Sequence, residues 1–98
     1  MEIIRTKNDD TLLLSLEGRL DTTTAPQLEN ELKESLPEIA ELTLDFEKLE
    51  YISSAGLRVL LSAQKAMNKQ GKMIIRNVCA DIMEIFEITG FSDILTIE

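Results

Sequence analysis

Apolar residues in this chain change their spacing several times, and this restricts the fold more than any other feature. They alternate with polar residues from Thr11 to Glu17 and again from Leu42 to Glu47. A period of two predicts strands with one buried face. Between and after these segments, apolar residues recur at every third or fourth position, which predicts amphipathic helices. The order in which the two patterns follow one another therefore indicates the fold class.

Three segments have the helical pattern. In the first, Thr24 is predicted as the N-cap, Gln27 completes a capping box, and Pro37 ends the helix. The second is predicted from Ser54 to about Gln70, and the third from Ala80 to Thr89. A glycine follows each of these two helices, at Gly71 and Gly90.

Five short strands complete the prediction, over residues 2–7, 11–17, 42–47, 72–78 and 93–97. Gly18 is expected to end the second strand, and Leu49, Tyr51 and Ile52 are expected in a loop. The predicted order is β-β-α-β-α-β-α-β. It indicates an α/β fold with a mixed, mostly parallel sheet of four or five strands and about three helices mainly on one face. The first two strands are expected to form an antiparallel hairpin, and residues 1–98 a single domain.

Charge and composition exclude several classes of partner. The 98 residues include 18 acidic and 10 basic residues, which gives a net charge of −8. A chain with no basic stripe is not expected to bind nucleic acid or an anionic membrane. The single cysteine, Cys79, allows no internal disulfide, and no signal peptide or membrane span is recognisable, so we expect a cytoplasmic protein.

The inventory of reactive side chains argues against catalysis. The chain has no histidine, so neither a Ser-His-Asp nor a Cys-His arrangement is possible. One cysteine and no histidine leave no expected metal site, and four scattered glycines form no phosphate loop, so we expect no cofactor. A hydrolase using Ser54 with Lys65 or Lys69 is disfavoured, because those lysines lie three to four helical turns away.

Two adjacent serines, Ser53 and Ser54, stand where the second helix is predicted to begin. The first-turn N–H groups and the positive end of the helix dipole both favour an anion there, so a phosphoserine would leave the fold intact. A phosphoserine adds about −1.5 to −2 charges at neutral pH, enough to repel a partner. The alternative is that one of these serines only caps the helix.

Two motifs in this chain resemble those of the STAS domain family, and within it the stand-alone bacterial anti-sigma-factor antagonists. The first is Glu17-Gly18-Arg19-Leu20-Asp21-Thr22-Thr23-Thr24-Ala25, which follows the second strand. The second runs from Leu44-Asp45-Phe46 through Ile52-Ser53-Ser54-Ala55-Gly56-Leu57-Arg58-Val59-Leu60-Leu61. Together with the element order, the resemblance covers nearly the whole chain.

The resemblance implies a phosphorylation switch between protein partners. The unphosphorylated antagonist would bind an anti-sigma factor that is also a serine kinase with a histidine-kinase-like ATPase fold, and so release the sigma factor. The kinase would phosphorylate Ser54 and end the interaction, and a serine phosphatase would reverse it. The implied partner surface consists of Asp21, Thr22, Thr23, Ser53, Ala55, Gly56 and Arg58.

Some positions leave alternatives open. The family pattern is Asp-Ser-Ser/Thr-Gly, whereas Ser53 stands here at the acidic position and Ala55 at the second hydroxyl position. Ser53 therefore competes with Ser54 as the modified residue. Asp21 has an alternative role as a turn-forming or capping residue, and Arg58 as a simple solvated side chain. The competing function is a constitutive STAS adaptor that is never phosphorylated.

Overall fold

The computed structural model describes all residues, 1–98, as a sheet of four strands with three α-helices and a final 3₁₀ turn. None of its helices has the length and hydrophobicity of a membrane-spanning helix. The elements are β1 (Glu2–Asn8), β2 (Thr11–Leu20), α1 (Ala25–Ser35), β3 (Glu41–Ile52), α2 (Ser54–Asn68), β4 (Lys72–Arg76), α3 (Ala80–Thr89) and the 3₁₀ turn Phe91–Asp93.

The sheet has the mixed character that the sequence predicts. Its strand order is β1-β2-β3-β4, so every strand lies beside its neighbour in sequence. β1 and β2 form the expected antiparallel hairpin, while β3 pairs in parallel with both β2 and β4. Because a parallel pair needs a crossover, α1 and α2 connect these strands.

One face of the sheet packs against the helices and forms the core. A single cluster of 24 buried residues includes members of β2, β3 and β4 and of all three α-helices. Phe46 of β3 and Phe86 of α3 are fully buried in it, with ring centroids 6.4 Å apart. On the other face of the central strands, Leu13, Thr43 and Asp45 are only half-buried. The prediction of helices mainly on one face is confirmed.

The central strands are longer than predicted. Gly18 does not end β2, and residues 49–52 are not a loop, since β3 runs without interruption to Ile52. Two register shifts in the β2–β3 ladder each place one extra residue in β3. The buried side chains near the end of β3 are therefore Phe46, Leu49 and Ile52, three residues apart instead of two. Because of this β-bulge spacing, buried residues no longer alternate with exposed ones, and a period of two does not predict the end of the strand.

The predicted last strand is wrong. After Gly90, which has the left-handed φ of 83°, the chain makes a helical turn in which Leu95 N–H donates to the carbonyl of Phe91 at 2.8 Å. This turn takes up residues 91–95, so only one parallel bridge remains, between Ile75 and Ile97.

The end of α2 packs tightly against the segment before β3. Lys72 N–H donates to the carbonyl of Ala40 at 3.0 Å, which brings Gly71 against the Ala40 backbone. A Cβ atom on Gly71 would overlap the carbonyl oxygen of Ala40. The glycine is therefore required by a close approach of two backbones, rather than by a left-handed conformation.

We expect Gly71→Ala to lower the free energy of unfolding by about 2 kcal/mol, because backbone atoms must move to admit the methyl group. Chemical denaturation of the purified protein measures this loss. The control is Lys69→Ala, an exposed position two residues earlier, which should change the free energy by less than about 0.5 kcal/mol. Equal midpoints for the two variants would contradict the close approach.

Candidate functional site

The two sequence motifs meet where β2 and β3 end. Leu20 pairs with Ile52 in the parallel ladder, and Ser53 N–H donates to the carbonyl of Leu20 at 2.9 Å. The carboxyl ends of parallel strands lie at one edge of a sheet, which is the usual place for functional groups in α/β folds. The loop before α1 and the start of α2 are therefore held side by side.

The two serines have different structural roles. Ser53 has extended backbone angles and is the N-cap of α2, and its Oγ accepts a hydrogen bond from Gly56 N–H at 3.4 Å. Ser54 is the first residue of the helix, and its side chain is exposed and makes no hydrogen bond within the protein. Ser53 is half-buried, so the Ser54 hydroxyl is the more accessible of the two.

Gly56 lets the first turn of α2 approach the ends of the two strands. A Cβ atom at this position would lie 2.7 Å from Cγ of Leu20 and 2.9 Å from Cγ1 of Ile52. Contacts that short force neighbouring atoms to move, so a larger residue would push the helix start away from the sheet. Gly56 is itself buried and acts by packing.

Asp21 organises the loop that leads into α1. Its Oδ1 accepts hydrogen bonds from Thr23 N–H at 3.0 Å and Thr24 N–H at 3.1 Å, and its Oδ2 lies 3.8 Å from Nε of Arg19. The backbone N–H of Thr24 contributes most to lowering the pKa of Asp21 below its ordinary value of 3.8, and the N–H of Thr23 and the Arg19 guanidinium add to it. The turn-forming role of Asp21 is thus present in the structure.

The predicted capping box at α1 is wrong. Thr24 has helical backbone angles and caps no N–H group with its side chain. Its hydroxyl instead donates to the carbonyl of Arg19 at 2.7 Å and accepts from Asp21 N–H at 2.9 Å. The Gln27 side chain donates to the carbonyl of Met1 at 3.1 Å. The backbone N–H groups just before the helix, those of Thr23 and Thr24, are bound by Asp21 instead.

Sequence reasoning missed one feature of the site, a contact between Arg19 and Tyr51. These residues are partners in the β2–β3 ladder, and the guanidinium carbon of Arg19 lies 4.2 Å from the centroid of the Tyr51 ring. This geometry is a cation–π contact. Only the true register of β3 could have predicted it, because Tyr51 was expected in a loop.

The remaining predicted residues lie along a groove between α1 and α2. Thr22, Ala55 and Arg58 line a depression of about 290 Å³ together with residues of both helices. Thr23 is exposed on the loop beside it. The described chain has no group of three or more acidic or cysteine side chains placed to hold a metal ion. Thr22, Ala55 and Arg58 thus share one surface groove beside the start of α2.

A model of the STAS domain family matches residues 2–98. Among curated proteins, BtrV of Bordetella bronchiseptica, described as a proposed anti-sigma factor antagonist, is 35% identical over 99% of this chain and 85% of its own length. The anti-sigma-B factor antagonist of Bacillus subtilis is 28% identical over 93% of this chain and 84% of its own length.

Solved structures show the same fold. An anti-sigma factor antagonist from Mycobacterium paratuberculosis superposes with a TM-score of 0.88 at 20% identity, over 98% of this chain and 83% of that one. The Bacillus cell fate determinant SpoIIAA in its phosphorylated form superposes with a TM-score of 0.77 at 17% identity, over 99% of this chain and 91% of that one. The predicted α/β fold is confirmed.

The different roles of the two serines lead to a paired prediction. Ser53→Ala removes the cap of α2 and should lower the free energy of unfolding by about 1 kcal/mol. Ser54→Ala removes a hydroxyl that contacts only solvent and should change it by less than about 0.5 kcal/mol. Urea denaturation of both variants makes the comparison, and equal losses would contradict the assignment of Ser53 as the cap.

The lowered pKa of Asp21 makes its contribution to stability dependent on pH. The ionised form is favoured in the folded state, so its contribution is present above 3.8 and is lost as the pH falls through the lower folded pKa. Asp21→Asn should therefore be less stable than the unmodified protein at neutral pH, and the difference should shrink in acid. Denaturation at several pH values tests this, with Glu50→Gln as an exposed control. A difference that is independent of pH would refute it.

Proposed function

The chain belongs to the STAS domain family, and we propose that it is an anti-sigma-factor antagonist switched by phosphorylation of Ser54. Unphosphorylated, it binds an anti-sigma factor that is also a serine kinase with a histidine-kinase-like ATPase fold, which frees the sigma factor. The kinase transfers the γ-phosphoryl group of ATP to Oγ of Ser54 and releases ADP, and the serine proton leaves to a base of the kinase. A serine phosphatase in the same cytoplasm hydrolyses the phosphoserine.

The observation that carries this proposal is the exposed and unbonded hydroxyl of Ser54 at the first position of α2. A kinase reaches it without displacing any internal hydrogen bond. Once phosphorylated, the residue lies at the positive end of the helix dipole, where a negative charge is favourable by about 0.3–1 kcal/mol. The domain thus tolerates a modification that its partner does not.

The loss of binding follows from the cost of burying charge. A partner surface packed against a neutral hydroxyl must desolvate the phosphate without offering it a counter-charge. That costs on the order of several kcal/mol. Since each ~1.4 kcal/mol is a factor of ten in affinity, one phosphate can end the interaction.

We assign the partner surface to the two neighbouring loops and the first turns of α2. Thr22, Thr23, Ala55 and Arg58 are at least partly accessible and supply direct contacts. Asp21, Ser53 and Gly56 instead hold the loops in place. Asp21 binds backbone N–H groups, Ser53 caps α2, and Gly56 lets α2 approach the strand ends closely. The relatives support this choice of partner, since they include anti-sigma-B factor antagonists.

The likeness of this fold to that of SpoIIAA gives further support. That protein has been solved both unphosphorylated and phosphorylated, with TM-scores to this chain of 0.78 and 0.77. A fold that retains its form when phosphorylated is what a reversible switch requires. Here the Ser54 position meets the same requirement on physical grounds, because the helix start accommodates an anion.

The test is phosphopeptide mapping after incubation of the purified protein with ATP and a lysate of the source cells. We expect phosphate on Ser54, and its loss in Ser54→Ala without transfer to another residue. Ser62→Ala, at an exposed serine two turns further along α2, is the control and should keep the phosphate.

Two other outcomes would change the proposal. Phosphate on Ser53 would keep the switch and reassign the residue. No phosphate, with a lysate that phosphorylates another substrate, would refute the switch and favour a constitutive adaptor.

A further inference from the structure

Arg58 is the one arginine of this chain that has no partner. Arg5 donates to the Ser35 hydroxyl, Arg19 pairs with Asp21, and Arg76 lies 4.0 Å from Asp45. Arg58 is exposed on α2, and its side chain makes no hydrogen bond or ion pair. In a protein with a net charge of −8, an unpaired guanidinium beside the candidate serine calls for an explanation.

The acidic groups near Arg58 are engaged elsewhere. Glu29 of α1 lines the same groove, but its carboxylate lies 3.5 Å from Nζ of Lys33 on its own helix. Asp21, in the loop before α1, binds two backbone N–H groups and faces Arg19. On α2 itself, residues 55–57 are uncharged. No carboxylate therefore competes strongly for Arg58.

Helical geometry places Arg58 next to Ser54. The two residues are four apart within α2, so their Cβ atoms are about 5–6 Å from each other on one face of the helix. Long side chains on a helix also lean toward its N-terminus, which directs the guanidinium over the turn that contains Ser54. Ser53 precedes the helix and is five residues from Arg58, which is outside this spacing.

We propose that Arg58 is the intramolecular counter-ion of phosphorylated Ser54. This inference rests on the proposed function and adds a second consequence to the modification. The phosphate introduces a negative charge and, by binding Arg58 through charge-assisted hydrogen bonds, also withdraws the one unpaired arginine from the partner-facing surface. A planar guanidinium is suited to this role because it can bind two phosphate oxygens at once.

The pairing makes the doubly charged form of the phosphate more stable, so it should lower the second pKa of phosphoserine from its ordinary value near 6. We expect a decrease of at least roughly 0.2 pH unit, which matches the usual strength of an ion pair at this helical spacing. Since the chain has no histidine, no side chain with an ordinary pKa near 6 interferes with the titration.

The experiment uses full-length protein in which phosphoserine is incorporated at position 54 during translation, so it does not depend on any kinase. The phosphate is titrated by phosphorus NMR in the otherwise unmodified protein and in the Arg58→Gln variant. We expect the Arg58→Gln variant to have the higher phosphate pKa, and added salt to reduce the difference. Lys65→Gln, at an exposed cation of the same helix, should leave the pKa unchanged.

Phosphoserine at position 53 is a second control, and its pKa should not respond to Arg58→Gln. Equal pKa values for phosphoserine 54 with and without Arg58 would overturn the proposal, even if Ser54 is the residue modified in cells. Conversely, a shifted pKa with no phosphorylation in lysates would leave the ion pair in place and remove the proposed function. The two failures are therefore distinguishable.

Discussion

The parallel pairing of β2 with β3 is the constraint on which the site depends. Beyond the last paired residues, Ser53 N–H donates a hydrogen bond to the carbonyl of Leu20, which joins the end of β2 to the beginning of α2. The same Leu20 side chain is one of the two that Gly56 approaches closely. A change in the register of these strands would therefore separate the Asp21 loop from the serines, although each loop kept its own local structure.

The bulges in β3 let one strand serve both the core and the site. Each extra residue interrupts the regular pairing at one point and changes which side chain faces the core. As a result Phe46, Leu49 and Ile52 are all buried, while Tyr51 lies outside and contacts Arg19. The core remains continuous up to the residue before the N-cap of α2, so the functional loop starts from a rigid base.

The parts that could be predicted from the sequence are those set by local periodicity. Alternating and helical patterns predicted the hairpin, the sheet class and the start of α2 at Ser54, because each depends on residues close together in the chain. The length of β3 and the contact of Arg19 with Tyr51 depend on the register between strands, which no local pattern encodes. The role of Thr24 is local, but Thr24 bonds backward to Arg19 and Asp21 rather than forward into the helix. The prediction of a last strand was wrong for a different reason. Local hydrogen bonds after Gly90 replace all but one bridge of the pairing with β4.

The exposed hydroxyl of Ser54 also has a kinetic consequence. Many buried groups react only when a segment opens, and the rate is then reduced by the small fraction of molecules that are open. Ser54 needs no such opening, because its hydroxyl already contacts solvent while the neighbouring Ser53 keeps the helix capped. The phosphorylation proposed for Ser54 would therefore require no local or global opening of the domain. Substitutions that weaken the core would then reduce the amount of folded protein without slowing the proposed phosphorylation in the molecules that remain folded.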